Sequence, residues 1–365
     1  MKWFAYYLPQ FHETEENNEW WGKGFTEWTH VNAAKPLIKG HLQPIKPKDD
    51  NYYNLMDKNT VEWQTSLMKE YGIDGLVYYH YYFCGKKLLN KPAENLLKWT
   101  DINQPFFFCW ANHSWYKAVD GVKNLLIEQK YGGEKEWEEH FLYLLPFFKD
   151  ARYEKRNNKP VFMLFINFPE KKDLFNYFDR RCREEGFDGI CLIESFMKAS
   201  RKNSFDLFKE DVTKQTELIC LRQPDVARTT LARKRRFLPV RVYKKIKRIL
   251  TLKGVIKSLD KFSGQKFYKI MQRNICKYEN VCHGVFFSWD NTPRHKYRGF
   301  MITPPKKEQF MQYADKLKSS EYVFINAWNE WAEGMILEPT EHNGFKYLEW
   351  IKEWKEINGF IPVKE

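Results

Sequence analysis

Two glutamates three residues apart, Glu330 and Glu333, lie in the stretch YVFINAWNEWAEGMILEP (residues 322–339), among Asn326, Trp328, Asn329 and Trp331. Retaining glycosyl transfer needs one carboxyl group to handle the proton on the bridging oxygen. It needs a second, several ångströms away, as base or nucleophile. The stretch opens as an apolar strand and passes without a turn signal into polar residues, so both carboxyls can face one side of a cleft. Trp328 and Trp331 offer flat faces to pyranose rings, and Asn326 and Asn329 can bond hydroxyls. A plainer reading makes the indoles core and the carboxyls a solvated loop edge or a helix N-terminus, since buried aromatics are common. Two carboxylates and two amides crowded at one strand end favour the chemical reading, the making or breaking of a glycosidic bond.

The elements that must position these groups alternate. Apolar runs at 3–9, 75–82, 105–111, 160–166, 189–194, 217–221, 284–291 and 322–328 read as eight strands. Helical spacing fills most of the intervals, at 61–71, 134–148, 174–185 and 306–317, and a closing helix begins at 345. Continuous apolar strands separated by helices indicate parallel β/α architecture, and eight units favour a closed (β/α)8 barrel. Polar residues collect at the C-terminal ends of five strands, His80, Asn112, Glu194, Asp290 and Glu330, where barrel enzymes place their sites. Trp110 precedes Asn112, and Trp289, Asn291 and Arg294 flank Asp290. The loop at 10–50, with His12, Glu27 and Trp28, is long enough to be functional.

Composition bounds the rest. A chain of 365 residues suits one large catalytic barrel spanning 1–365, and aromatics reach 18 %. The seven cysteines show no CxxC pair and read as reduced core residues of a cytoplasmic protein. Cys276, Cys282 and His283 lack a fourth ligand, so no metal or other cofactor is expected. The N-terminus runs straight into a strand without a secretion signal, and no apolar run approaches the roughly 20 residues that span a bilayer.

The formal net charge is +13, yet residues 228–273 alone carry 16 basic residues against one acid, Asp260. The excess belongs to a region between strands six and seven, read as a basic helical insertion over 225–275. Within it, residues 240–262 set Tyr243, Ile246, Ile249, Leu250, Ile256 and Leu259 among lysines and arginines, with Gly254 as a break. Such a helix can lie on an anionic membrane surface, apolar face inward and lysines on lipid phosphates. A solvated helix packed on the barrel is the plainer alternative. No nucleic-acid partner is expected, because nothing else resembles an RNA- or DNA-binding module.

The motifs YYLPQFH (6–12, with Tyr6), WWGKGFTEW (20–28), YGIDG and YYHYYFCGKKLL (71–89), CWAN (109–112), SWDNTPR (288–294) and NAWNEWAEGMILEP (326–339), in this order, resemble the WbsX-type glycosyltransferases, a group also described as like glycoside hydrolase family 99. The resemblance implies a (β/α)8 barrel and a part in assembling bacterial O-antigen or capsular polysaccharide, from a glycan or sugar-nucleotide substrate and a lipid-linked acceptor at the inner membrane. In the related hydrolases the matching carboxylates work through a 1,2-anhydro sugar. By that match Glu330 is the base at the 2-hydroxyl and Glu333 the general acid/base. His113 departs from the pattern, since relatives usually carry a glutamate after WAN. The alternatives are a retaining, endo-α-mannosidase-like glycoside hydrolase and a non-catalytic glycan-binding barrel.

Overall fold

The computed structural model describes residues 1–119, 122–197, 212–234, 238–276 and 278–362. Positions 235–237 of the expected basic insertion lie outside the described residues. Eight strands form the barrel: β1 (Lys2–Tyr7), β2 (Gly75–Phe83), β3 (Phe106–Trp110), β4 (Lys159–Leu164), β5 (Cys191–Phe196), β6 (Thr216–Leu221), β7 (Val281–Phe286) and β8 (Tyr322–Asn326). Each pairs in parallel with the next. β1 also pairs with β8, Ala5 opposite Ile325, which closes the ring. The expected closed parallel barrel is the observed one.

Aromatic rings fill the lumen, because alternate residues of every strand point inward and each layer must be filled. Phe4 meets Phe107 at 5.1 Å between centroids, Phe107 meets Phe324 at 6.3 Å, and Tyr6 stacks on Tyr79 at 5.6 Å. Gly75 faces this layer where a Cβ would come within 2.2 Å of the Phe4 ring, so a larger residue there would displace Phe4. The opposite faces pack on helices. Among these are α1 (Lys58–Tyr71), α2 (Glu134–Lys149) and α3 (Lys171–Glu184). α1 is capped by the Asp57 side chain on the Asn59 N–H and ends at Gly72 in the left-handed region, φ 73°.

Between β6 and β7 the chain forms α4 (Asp225–Lys234), α5 (Leu238–Leu252), a short strand Asp260–Phe262 and α6 (Gly264–Arg273). α6 buries Phe267, Tyr268 and Met271 against the barrel. α5 is the basic amphipathic helix of the sequence, and Gly254 makes the left-handed turn after it, φ 74°. Most strand ends shift by one or two residues from expectation, and those of β7 and β5 bear on candidate site residues. β7 stops at Phe286, and Trp289–Asp290 leaves the barrel to pair with Phe300–Ile302 in a small separate sheet. β5 runs on to Phe196, so Glu194 lies within the strand and does not end it.

Candidate active site

At the C-terminal mouth of the barrel a cavity of about 220 Å³ is lined by Tyr79, Phe165, Arg222, Asp225, Trp289, Arg294, Asn326, Glu330, Glu333 and Met335. Its two glutamates are delivered by a tight hairpin. After β8 the chain pairs Asn329–Glu330 antiparallel with Met335–Ile336, and a single 3-10 turn, Trp331–Glu333, links them. Gly334 ends that turn in the left-handed region, φ 59°, where a Cβ would come within 2.9 Å of the Asp290 backbone nitrogen. A side chain at 334 would therefore strain the turn and push it off the 290 strand.

Arg294 organises the charges. Its guanidinium donates to Glu333 Oε1 at 3.1 Å and to Glu27 Oε1 at 2.6 Å, and lies 3.6 Å from Glu330 Oε2. The indole N–H of Trp289 donates to Glu333 Oε2 at 2.7 Å. Glu27, in the helix Glu27–Ala33, is buried and also accepts the Ala332 N–H at 3.1 Å, which ties the long first loop to the hairpin. Burial pushes the Glu330 carboxyl up to about 8. Arg294 pulls it down, and Glu333 and Glu27 push it further up. Glu330 therefore carries its proton at neutral pH, beside a Glu333 held by two donors.

Opposite the carboxyls, the Arg222 guanidinium lies 3.9 Å from the centroid of the Phe165 ring, and its Nε donates to Asp225 Oδ2 at 3.0 Å. Its Nη1 is buried without a protein partner. Tyr79, Phe165 and Trp289 are half-buried and present the aromatic surface of the cavity. Asn326 lines it too while donating to the Gln223 carbonyl at 3.1 Å. His113 sits behind this wall, its ring 5.5 Å from that of Phe165. Burial, and then Arg222, hold its pKa below the usual imidazole value.

Of the residues singled out in the sequence, the cavity gathers Trp289, Arg294, Asn326, Glu330 and Glu333, with Glu27 one bond behind. The others lie elsewhere. Trp328 and Trp331 are buried, and both indole N–H groups donate to Glu338, at 2.8 and 2.7 Å, so neither ring faces a sugar. Trp28 is buried against Trp331 and donates to the Tyr53 carbonyl. Tyr6 lies under Tyr79 in the lumen, its hydroxyl on Met163 Sδ at 3.2 Å. Asn329 staples the hairpin to the end of β1 through both amide atoms on Leu8.

His80 and Trp110 share a register on neighbouring strands and point outward into the helices, where His80 meets His140 of α2 at 2.8 Å. Burial pushes the His80 imidazole down to about 3. Asn112 clamps the Ile166 backbone with both amide atoms, and Glu194 is buried on Lys171 of α3, Thr213 and Thr216. Asp290 turns from the cavity to take His41, Gln43 and Thr292, which fastens the first loop. Asn291 accepts the Phe300 N–H. His12 is buried in the first loop, its pKa lowered to about 4 by burial.

Sequence reading missed Tyr79, Phe165, Arg222, Asp225 and Met335. The signal for the second pair was present. LRQPD (221–225) follows the weakest strand, at the barrel end where sites are built. For Tyr79 it was parity, since Tyr79 alternates with His80 and only one of them can face inward.

Glu338, also missed, is the structural carboxylate beneath the site. Four donors converge on it: Tyr53 Oη, Gln64 Nε2, Trp328 Nε1 and Trp331 Nε1, all within 2.8 Å. Burial pushes its pKa up to about 7 against the pull of these donors. The Glu338→Gln variant presents one oxygen and an N–H₂ to four donors; the Tyr53 hydroxyl can turn to accept, but at least one N–H is left unpaired at about 1–3 kcal/mol. The expected result is a loss of about 1–3 kcal/mol in urea unfolding. An unfolding midpoint equal to wild type would show that the four bonds contribute nothing net.

A closed parallel barrel thus carries two carboxyls, an arginine and aromatic walls at its C-terminal mouth. Residues 3–351 match the family described as Glycosyltransferase WbsX, and the chain belongs to that family. It is 29 % identical over 360 residues to the uncharacterized protein WxcX of two Xanthomonas campestris pv. campestris strains, covering 94 % of this chain. The chain spans about half, 48 %, of the length of those relatives. Among solved structures it resembles the GH99 endo-alpha-mannosidase from Bacteroides thetaiotaomicron, with TM-score 0.53, 12 % identity and 98 % of each chain covered. A glycoside hydrolase-like protein gives TM-score 0.58 at 11 % identity, covering 97 % of this chain and 93 % of that one. At such identities the likeness is one of fold.

Proposed function

We propose that this protein is a glycosyltransferase of bacterial surface polysaccharide synthesis, and that Glu330 and Glu333 perform the transfer. The observation that carries the reading is the pair itself, two carboxyls flanking one guanidinium at a barrel mouth with a proton on one of them. A sugar ring fits between Trp289, Tyr79 and Phe165, its apolar face on an aromatic ring and its hydroxyls toward Arg222, Asp225 and Asn326. Following the family resemblance, Glu330 takes the proton of the 2-hydroxyl as O2 closes on the anomeric carbon, and Glu333 gives a proton to the departing oxygen. In the second half the acceptor hydroxyl adds at the anomeric carbon, losing its proton to Glu333, while O2 recovers a proton from Glu330. The pair thus works with one proton in total, and that proton must pass from Glu330 to Glu333 as substrate binds before Glu330 can act as the base.

A second reading, hydrolysis within an α-linked glycan, is favoured by the fold likeness to the GH99 enzyme, since the same two carboxyls serve water as acceptor. A glycan-binding barrel without chemistry gives no task to two carboxyls gathered on one guanidinium in the cavity wall.

Among the described residues no helix is long and apolar enough to cross a membrane. α5 nevertheless exposes Val242, Tyr243, Ile246, Ile249 and Leu252, with Tyr243 65 % exposed. This suits contact with an anionic membrane at the cytoplasmic face, near a lipid-linked acceptor.

The test is incubation with nucleotide sugars and with short-glycan or lipid-linked acceptors, the latter in anionic vesicles, alongside α-linked oligosaccharides. Products are read by mass spectrometry. Growth of an acceptor by one sugar is the expected outcome, whereas shortened oligosaccharides without growth would establish the hydrolase. With Tyr243→Glu and Ile246→Glu combined, turnover of the vesicle-borne acceptor should fall while that of the soluble acceptor holds. Equal turnover of both would remove the membrane contact.

A further inference from the structure

Beside the catalytic cavity lies a larger one, of about 720 Å³, whose walls include Arg228, Lys244, Lys247, Arg248, His295 and Arg298. Among the described residues Asp260 is the sole carboxylate lining it. Among the described residues none of Lys244, Lys247, Arg248 and Arg298 pairs with a carboxylate, and Arg228 reaches only Asp225, at 3.4 Å. Cations in this number, drawn together with so few counter-charges, repel one another and raise the local potential for an anion. The two cavities share a wall. Trp289 packs edge-on against Phe300 at 4.6 Å, and the Arg228 guanidinium lies 5.3 Å from the Trp289 ring and 5.5 Å from that of Phe300. Trp289 bonds Glu333 on one side of this wall, and Phe300 lines the basic cavity on the other.

We propose that the basic cavity is a subsite for a diphosphate ester, holding the diphosphate of a glycosyl carrier while its sugar reaches over Trp289 to Glu330 and Glu333. The inference rests on the glycosyl-transfer reading above and gives its substrate a chemical class. A dianionic diphosphate meets Lys244, Lys247 and Arg248 on α5 from one side and Arg298 from the other, bonds that lysine and arginine make readily with phosphate oxygens. The exposed apolar residues of α5 share that helix with the cavity lysines. Helix and cavity together would therefore serve a diphosphate whose other ester is a lipid. A nucleoside offers the same diphosphate from solution.

The experiment is titration calorimetry of the whole protein with inorganic pyrophosphate, a nucleoside diphosphate and farnesyl diphosphate, with inorganic sulfate as reference. Binding of pyrophosphate at least about tenfold tighter than sulfate is expected, weakening as salt rises. Further tightening with the nucleoside or the farnesyl ester identifies the carrier, and equal binding of all three confirms a site that reads the diphosphate alone. The Lys247→Gln, Arg298→Gln double variant, two changes on the rim, should lose at least tenfold in pyrophosphate affinity with an unchanged circular dichroism spectrum and melting temperature. If all three diphosphates bind no tighter than sulfate, or if the folded double variant binds as wild type does, the proposal is overturned. Glu330→Gln separates this from the transfer reading, for it should keep pyrophosphate affinity while losing turnover.

Discussion

The Arg294→Met variant is expected to lose about 3–5 kcal/mol of stability together with its activity. Methionine fills much of the same space but leaves three carboxyls at one point. Glu27, 1 % exposed, would keep only the Ala332 N–H, and Glu333 only the Trp289 indole. Breaking a buried pair costs far more than such a pair contributes net, because the abandoned charge stays out of water. Lysine at 294 keeps the charge but not the fork that reaches Glu27, Glu330 and Glu333 together, so it should recover part of the stability and little of the activity. Burial lowers the pKa of Arg294, and Glu27, Glu333 and Glu330 more than offset it, raising it above its ordinary value. Urea unfolding with a native midpoint in the methionine variant would mean that Arg294 does not hold the cluster.

Glu330→Gln and Glu333→Gln should each lower turnover by about 10²- to 10⁴-fold, the range for loss of a positioned proton carrier. The wild-type pH profile carries its own sign. Whichever carboxyl holds the shared proton once substrate is bound, the working state has one proton on the pair. That state is lost as the pH climbs through about 8, where Glu330 ionises. kcat/KM should therefore fall with this midpoint. A rate that rises through pH 8 would mean that the pair works with no proton at all.

Stability runs the same way. Since the folded pKa of Glu330 lies above the unfolded value near 4.5, its contribution is present below 4.5 and lost as the pH rises through about 8. Glu330→Gln should then be more stable than wild type at pH 9 by an amount on the order of a few kcal/mol. Thermal melts of the two proteins at pH 5 and pH 9 check it, with the difference appearing at the higher pH.

The chain by itself determined the architecture and the two carboxyls. Eight apolar runs alternating with helices are local patterns, and closure of parallel strands follows from their number, so β1 to β8 could be named before any fold was seen. Glu330 and Glu333 were legible because both lie in one short hairpin, where spacing in sequence is nearly spacing in space.

What only the tertiary structure decided is which way the neighbouring side chains turn. His80 and Tyr79 are adjacent in one strand, and the register of β2 on β3 sends His80 outward to His140 and Tyr79 into the cavity. Trp328 and Trp331 looked like platforms for sugar, yet Glu338, a carboxylate further along the same segment, draws both indoles into the core. That leaves the aromatic surface of the cavity to Tyr79, Phe165 and Trp289, which come from three different strand ends. The ties of Arg294 to Glu27, 267 residues away in sequence, and of Asp290 to His41 join the first loop to the last strands. Contacts of that separation leave no periodic mark on a sequence. They exist because closing the barrel brings its first and last strands side by side, and burial then requires that the charges meeting there be paired.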